Sequence, residues 1–312
     1  MNALDPTSYL TGLIGAGIGP SLSPPLHHSE AARHGLRMLY RIIDIDELGA
    51  APEDTGRLLA AARTLGFDGL NITHPCKQVV IEHLDELDPE AAALGAVNTV
   101  ILREGRTVGY NTDSIGFARG FVRGLPDVTK TAAVQLGAGG AGSAVAHALL
   151  GELIGVGRLV IVDQQADRAE ALAAALRRRF GEERATAGTA ANLAAHLTEA
   201  DGLVNTTPVG MAAHPGLPLA DELVREDLWV AEVVYMPLET ELLRLARKRG
   251  CRTVDGGAML VYQAAEAFRL FTGLDPDVDA MFEDYHALVA PAVVEPAAVP
   301  PAAVEPGPGV KG

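Results

Sequence analysis

A two-domain α/β protein, with a doubly wound second domain, is the fold class that the sequence predicts. Three observations carry it. From Tyr9 to about Leu125, short apolar runs alternate with amphipathic helical stretches. Around Leu125-Pro126-Asp127 that rhythm stops and restarts. The second half then carries G-x-G-x-x-G between a buried apolar run and an Ala-rich helical one. Alternation of this kind implies largely parallel sheets covered by helices on both faces.

In the first half, residues 10–14, 39–45 and 68–72 read as strands. Helices are expected over 25–34 and 53–65, each with Pro near its start, and again from about Pro75. An apolar helix closes at Asn98-Thr99, where residues 97–102, then E-G-R, then 107–108 have the pattern of a tight hairpin. A helix is expected over 115–121. In the second half, strands are expected over 132–136, 159–162, 203–205 and 230–234, with helices over 141–150, 166–180 and 239–249. Helices over 259–271 and 276–287 close the folded part. From residue 290 onward the chain is too rich in Pro for a helix or central strand, so 290–312 is expected to be a disordered tail. The expected division is residues 1–125 plus 258–289 as one domain and 126–257 as the other.

Composition narrows the function classes. The chain has 312 residues, 48% of them hydrophobic, and a formal net charge of −15. That is ample for a core without staples, and the charge argues against nucleic acid, whose phosphates require clustered Lys and Arg. No window is apolar enough for a membrane span, and M-N-A-L-D-P-T lacks the basic region of a secretory signal. Two cysteines, Cys76 and Cys251, make neither a disulfide framework nor a cysteine-rich metal site. A cytoplasmic protein with a small-molecule substrate and no metal is expected, and a homodimer remains open.

The nucleotide site reads from its glycines. Gly137 permits the tight turn, Gly139 lets backbone approach a pyrophosphate, and Gly142 lets helix and strand pack closely. Gly140 and Ala141 open the helix, whose N-terminus offers free N–H groups to an anion. The next strand ends at Asp163, 21 residues after Gly142, near the spacing of an acidic ribose ligand in a Rossmann-type domain. Against a 2′-phosphate about 5 Å away, that carboxylate would repel by about 3 kcal/mol per unit charge at an effective dielectric of about 20. Gln164 and Gln165 follow, where an NADP site would want Arg, and Arg168 lies one turn further on. NAD is the expected cofactor.

Polar clusters that folding does not require gather in the first half. They are S-L-S at 21–23, N-I-T-H-P-C-K at 71–77, G-A-V-N-T at 95–99 and N-T-D at 111–113. With G-A-G-G-A-G, N-T-T-P-V-G-M at 205–211 and D-G-G-A-M-L-V-Y-Q at 255–263, residues 9–287 resemble the shikimate/quinate dehydrogenase family. Asp163 and W-V-A-E-V-V-Y-M-P-L-E-T-E-L-L from Trp229 make the resemblance closest to its NAD-dependent quinate/shikimate branch. The resemblance implies that Lys77 and Asp113 are the catalytic pair. Ser21 and Ser23 would then bind a carboxylate as neutral donors, with Thr73, Asn98 and Gln263 holding ring hydroxyls. On the cofactor side it implies Thr206, Pro208, Met211, Val233, Tyr235 and Gly256.

Plainer readings stand beside these. Asp113 is equally a helix N-cap, and Thr73, Asn98 and Gln263 are equally partners of loop backbone. Met211 and Met259 fit the core as well as a nicotinamide site, and Tyr235 is as ambiguous. His27-His28 and His34 lack metal-ligand spacing, His74 reads as a structural neighbour of Thr73, and the acidic run 82–90 reads as a solvated helix face. Three other functions fit the motifs: an NADP-dependent biosynthetic shikimate dehydrogenase, a dehydrogenase of an amino-substituted quinate or shikimate, and a non-catalytic ligand sensor.

Overall fold

The computed structural model describes residues 8–290. Residues 1–7 and 291–312, the latter holding nearly all of the expected tail, lie outside the described residues. In chain order, β1 (Ser8–Gly15), α1 (Ser23–Arg33), β2 (Arg37–Asp44), α2 (Thr55–Thr64) and β3 (Gly69–Ile72) open the molecule. They are followed by β4 (Glu86–Leu87), α3 (Pro89–Leu94), the hairpin β5 (Thr99–Arg103) and β6 (Arg106–Tyr110), and α4 (Asp113–Gly124). Pro24 and Pro25 sit in the first turn of α1, where their missing N–H groups cost nothing.

The first sheet has the order β2-β1-β3-β5-β6-β4. Here the expectation of a largely parallel sheet is corrected: β3 pairs β5 antiparallel, and β5 pairs β6 antiparallel, so the sheet is mixed. The tight Glu104-Gly105 turn accounts for the β5–β6 reversal. Nor does an α-helix start at Pro75; a turn leads to a short 3₁₀ helix, Val79–His83. The Lys77 carbonyl that α-helical pairing needs accepts instead from Val97 N–H, and Ile81 N–H turns to Gln78. The acidic run 82–90 is likewise no single helix face, because Asp85 accepts from Thr107 and Asp88 caps α3. That helix ends at a left-handed Gly95, four residues before the hairpin strand begins.

The second sheet is built from β7 (Ala132–Leu136), α5 (Gly140–Leu150), β8 (Arg158–Val162), α6 (Ala166–Phe180), β9 (Ala185–Gly188) and α7 (Leu193–Thr198). After these come β10 (Gly202–Asn205), β11 (Trp229–Glu232), α8 (Glu241–Lys248) and β12 (Arg252–Val254). Every pairing is parallel, in the order β12-β11-β10-β7-β8-β9. This is the doubly wound Rossmann order, with its switch point between β7 and β10.

Two final helices, α9 (Gly256–Thr272) and α10 (Val278–Val289), pack beside α1. Leu260, Val261 and Ala264 of α9 and Met281, Phe282 and Tyr285 of α10 share a buried cluster with Leu26. Helix α4 has a double allegiance. It lends Phe117, Ala118, Phe121 and Leu125 to the core under the second sheet, where Phe121 meets Trp229 edge to face at 5.0 Å. It therefore couples the residues after β6 rigidly to the Rossmann sheet. Among the described residues, no helix is long and apolar enough to cross a membrane.

Candidate active site

The chemically capable residues come from loops at the carboxyl ends of strands, where open α/β sheets bind ligands. Lys77 leaves the turn after β3, and Asp113 opens α4 just after the hairpin. The Lys77 Nζ donates to Asp113 Oδ2 at 2.5 Å, with the two side chains only 18% and 8% exposed. That shelter makes the pair less screened than a surface ion pair. Asn98 Nδ2 donates to the other carboxylate oxygen at 2.9 Å, which fixes the plane of the carboxylate. The cap reading of Asp113 does not hold: Thr112 stands at the N-cap, and the Asp113 side chain faces Lys77 and Asn98.

A buried polar relay runs from this pair to Tyr40. Both amide protons of Asn98 are used, on Asp113 and on the Thr112 hydroxyl. Its Oδ1 accepts from Thr112 N–H and from the Thr99 hydroxyl. The Thr99 hydroxyl in turn accepts from Asn71 Nδ2 at 3.0 Å, and Asn71 Oδ1 accepts from the Tyr40 hydroxyl at 2.8 Å. Burial raises the pKa of the Tyr40 phenol and the nearby Ser23 side chain lowers it in part; the Ser23 backbone N–H donates to Ser21 Oγ. Tyr40 was not singled out from the sequence, where it is one aromatic in an apolar strand. Its inward-facing place on β2 was the only signal.

Behind Tyr40 stands His27, fully buried, stacked on the phenol at 4.9 Å and without a hydrogen-bond partner on either nitrogen. Burial, aided by His28, depresses its pKa from 6.5 to about 3. The unfolded chain takes up this proton at about pH 6.5 and the folded one does not, so the stability it contributes is complete above that pH. It is lost as pH falls toward about 3. His27→Phe is therefore expected to lose less of its melting temperature than the unsubstituted protein between pH 6.5 and pH 4, a difference that thermal melts across that range will read.

The Gly-rich loop is built as the sequence implied. Gly137 has φ +99°, and a side chain there would strike Thr206. A β-carbon on Gly142 would sit 2.5 Å from the Gly137 carbonyl oxygen, so α5 and the turn touch with no room for one. At Gly139, by contrast, nothing lies within 4 Å, which leaves the open cradle a pyrophosphate needs. The next residue, Gly140, faces the chemical centre, and a β-carbon there would lie 4.0 Å from Lys77 Cδ. The Gly-rich loop and the ion pair are thus neighbours.

Asp163 sits just past β8, where its two oxygens accept from Ala138 N–H at 2.7 Å and Gln165 N–H at 2.8 Å. It anchors the Gly-rich loop through Ala138. Arg168 is exposed on α6. The Thr206 hydroxyl donates to the Leu136 and Gly137 carbonyls, bracing the turn from β10. Pro208 and Met211 are exposed in the loop after β10, and at 43% exposure Met211 is not a core side chain. Val233 and Tyr235 are half-buried past β11, and Gly256 starts α9 hard against the Val233 carbonyl. Met259 is half-buried, packed against the second core. Thr73 is half-buried after β3, and Gln263 folds its amide back onto the Leu260 carbonyl of its own helix.

One acidic group was missed. Glu232 ends β11 almost fully buried, accepting from Asn205, Thr240 and Val234, and burial pushes its pKa from 4.5 up to about 7. An acid inside the apolar run W-V-A-E-V-V was the available signal.

Residues 13–100 match the model of the shikimate dehydrogenase substrate binding domain, and residues 258–281 that of the shikimate 5′-dehydrogenase C-terminal domain. Residues 133–212 match the saccharopine dehydrogenase NADP binding domain. Over 91% of its length the chain is 62% identical to a Streptomyces avermitilis protein named shikimate dehydrogenase (NADP(+)), spanning 97% of it. The chain belongs to the shikimate/quinate dehydrogenase family. Within that family it is also 50% identical to a quinate/shikimate dehydrogenase (NAD(+)) of Corynebacterium efficiens, over 88% of this chain and 96% of that one. The structure of quinate dehydrogenase from Corynebacterium glutamicum in complex with NAD superposes with a TM-score of 0.84 at 47% identity, covering 90% of this chain and 99% of that one. Fold and family are those of a nicotinamide-dependent dehydrogenase.

Proposed function

We propose that the protein is an NAD-dependent dehydrogenase that interconverts quinate with 3-dehydroquinate and shikimate with 3-dehydroshikimate. The observation that carries this reading is the Lys77–Asp113 pair at 2.5 Å, with Gly140 of the dinucleotide loop beside Lys77. Residues 1–125 with 258–289 act as the substrate unit and residues 126–257 as the cofactor unit. The loop 137–142, Asp163 and Arg168 hold the adenosine and pyrophosphate end. Thr206, Pro208, Met211, Val233, Tyr235 and Gly256 form the nicotinamide end. A bound nicotinamide supplies the hydride donor or acceptor.

The chain's own work is at the substrate. Ser21 and Ser23 donate to the carboxylate as neutral groups, so an acidic protein needs no extra buried cation there. Thr73, Asn98 and Gln263 set the ring hydroxyls. In reduction Lys77 gives a proton from its ammonium to the forming hydroxyl oxygen, and in oxidation the neutral amine takes that proton back, while Asp113 orients the amine and accepts from the neighbouring hydroxyl. Asp113 is itself held by Asn98.

A second reading is favoured by one observation: the 62% identical relative carries an NADP(+) name. Against it stand Asp163, whose charge repels a 2′-phosphate, and the neutral Gln164 and Gln165 that follow. Initial rates with quinate and with shikimate, each with NAD and with NADP, separate the readings. Turnover of both acids with NAD preferred is the expected result; no turnover of either acid contradicts the function.

A further inference from the structure

The buried carboxylate of Glu232 lies outside the ion pair and the Gly-rich loop, yet it touches both segments that follow β10 and β11. Its Oε1 and Oε2 accept from Asn205 Nδ2 at 3.0 and 3.1 Å. Oε1 also accepts from Val234 N–H, and Oε2 from the Thr240 hydroxyl, each at 3.1 Å. Asn205 passes the constraint on. Its Nδ2 donates to the Val209 carbonyl at 3.0 Å, and its Oδ1 accepts from the Thr207 N–H and hydroxyl. Gly210 packs against Thr240 and Glu232 from the same loop. Beyond the Val233 N–H, which still donates to the Asn205 carbonyl at 3.1 Å, the two segments are fastened to one side chain.

We propose that Glu232 is a positioning residue that sets the nicotinamide end of the cofactor site, by tying the 206–211 loop to the 233–240 segment through Asn205 and Thr240. This rests on the reading of those two segments as the nicotinamide end. Glu232 needs no contact with the cofactor: its effect passes through Thr206–Met211 on one side and Val233–Tyr235 on the other. The Gly-rich loop and Asp163 hang on β7 and β8 and make no bond to Glu232; Thr206 braces that loop through its own bonds to Leu136 and Gly137, which do not involve Glu232, so the adenosine end is held without the strut.

The test compares NADH with ADP-ribose, which lacks only the nicotinamide nucleoside's base, by equilibrium titration. Glu232→Ala leaves three buried donors without their acceptor, and is expected to weaken NADH by at least about tenfold while ADP-ribose stays within about twofold. Glu232→Gln keeps one oxygen for Asn205 and Val234, and its amide finds the Thr240 hydroxyl as acceptor, so NADH affinity should return to within about threefold of the unsubstituted protein. If the alanine variant does not fold, Asn205→Ala breaks the same tie from the other loop, with the same split expected. Equal losses of NADH and ADP-ribose, or no loss of NADH, overturn the role of Glu232 and leave the cofactor site standing. Failure of the unsubstituted protein to bind either ligand overturns both.

Discussion

Lys77→Ala is expected to lower turnover by at least about a hundredfold while NADH affinity stays near that of the unsubstituted protein. The expectation follows from where the amine stands. Hydride transfer at a cyclic alcohol carbon leaves a proton to be moved at the oxygen, and Lys77 is the ion-paired amine beside the dinucleotide loop. Its contact with that loop runs through aliphatic Cδ near Gly140, so alanine removes the proton carrier without opening the pyrophosphate cradle at Gly139. Asp113→Asn should match it in size of effect. The amide keeps the shape but presents either an N–H toward Lys77 Nζ or an N–H toward Asn98 Nδ2, and each clashes donor against donor. Steady-state kinetics with parallel NADH titrations check both variants. Turnover like that of the unsubstituted protein in either one contradicts the roles given.

The second large effect concerns the choice of cofactor. NAD should be preferred over NADP by about tenfold or more in kcat/KM, because solvent reduces but does not abolish a repulsion of about 3 kcal/mol per unit charge, and each 1.4 kcal/mol is tenfold. The structure adds a cost to the obvious variant. Asp163 also accepts from Ala138 and Gln165 N–H, so Asp163→Asn loses one of two loop anchors along with the charge. The variant is therefore expected to lose efficiency with NAD, gain relative use of NADP by about tenfold, and so narrow the ratio from both ends. Competitive assays of the two cofactors on both proteins decide it. NADPH used as well as NADH by the unsubstituted protein contradicts the reading of Asp163.

Much of this architecture is legible in the residues because local chemistry and fold agree there. The buried runs 132–136 and 159–162, the glycines at 137, 139 and 142, and the acid at 163 each state one requirement of a doubly wound sheet, and each stands where expected. Strands β9 and β12 were not legible. Ala185–Gly188 offers Ala and Gly where β-branched residues would mark a strand, and Arg252–Val254 is only three residues long. Both are edge strands, defined by their neighbour rather than by their own propensity. The missing helix at Pro75 has a similar cause, since the Val97 N–H that captures the Lys77 carbonyl lies 20 residues away.

In the candidate site, the motif residues could be named from the sequence and the residues bonded to them could not. Lys77, Asn98 and Asp113 join one hydrogen-bonded set, and Ser21 and Ser23 bond to each other in the loop after β1. Tyr40, bonded to Asn71, and Glu232, bonded to Asn205 and Thr240, are buried polar groups within strands. Period and composition count them as core. Only the three-dimensional hydrogen-bond partners distinguish them from a core Phe or a surface Glu.

The most direct measurement is the separation between Lys77 Nζ and the reacting hydroxyl in a crystal structure of the protein with NADH and quinate or shikimate. A contact of about 3.2 Å or less, with Asp113 still on the amine and the Gly-rich loop against the dinucleotide, is what these residues dictate. Lys77 turned out into bulk water, away from Asp113 and from the bound nucleotide, would contradict it.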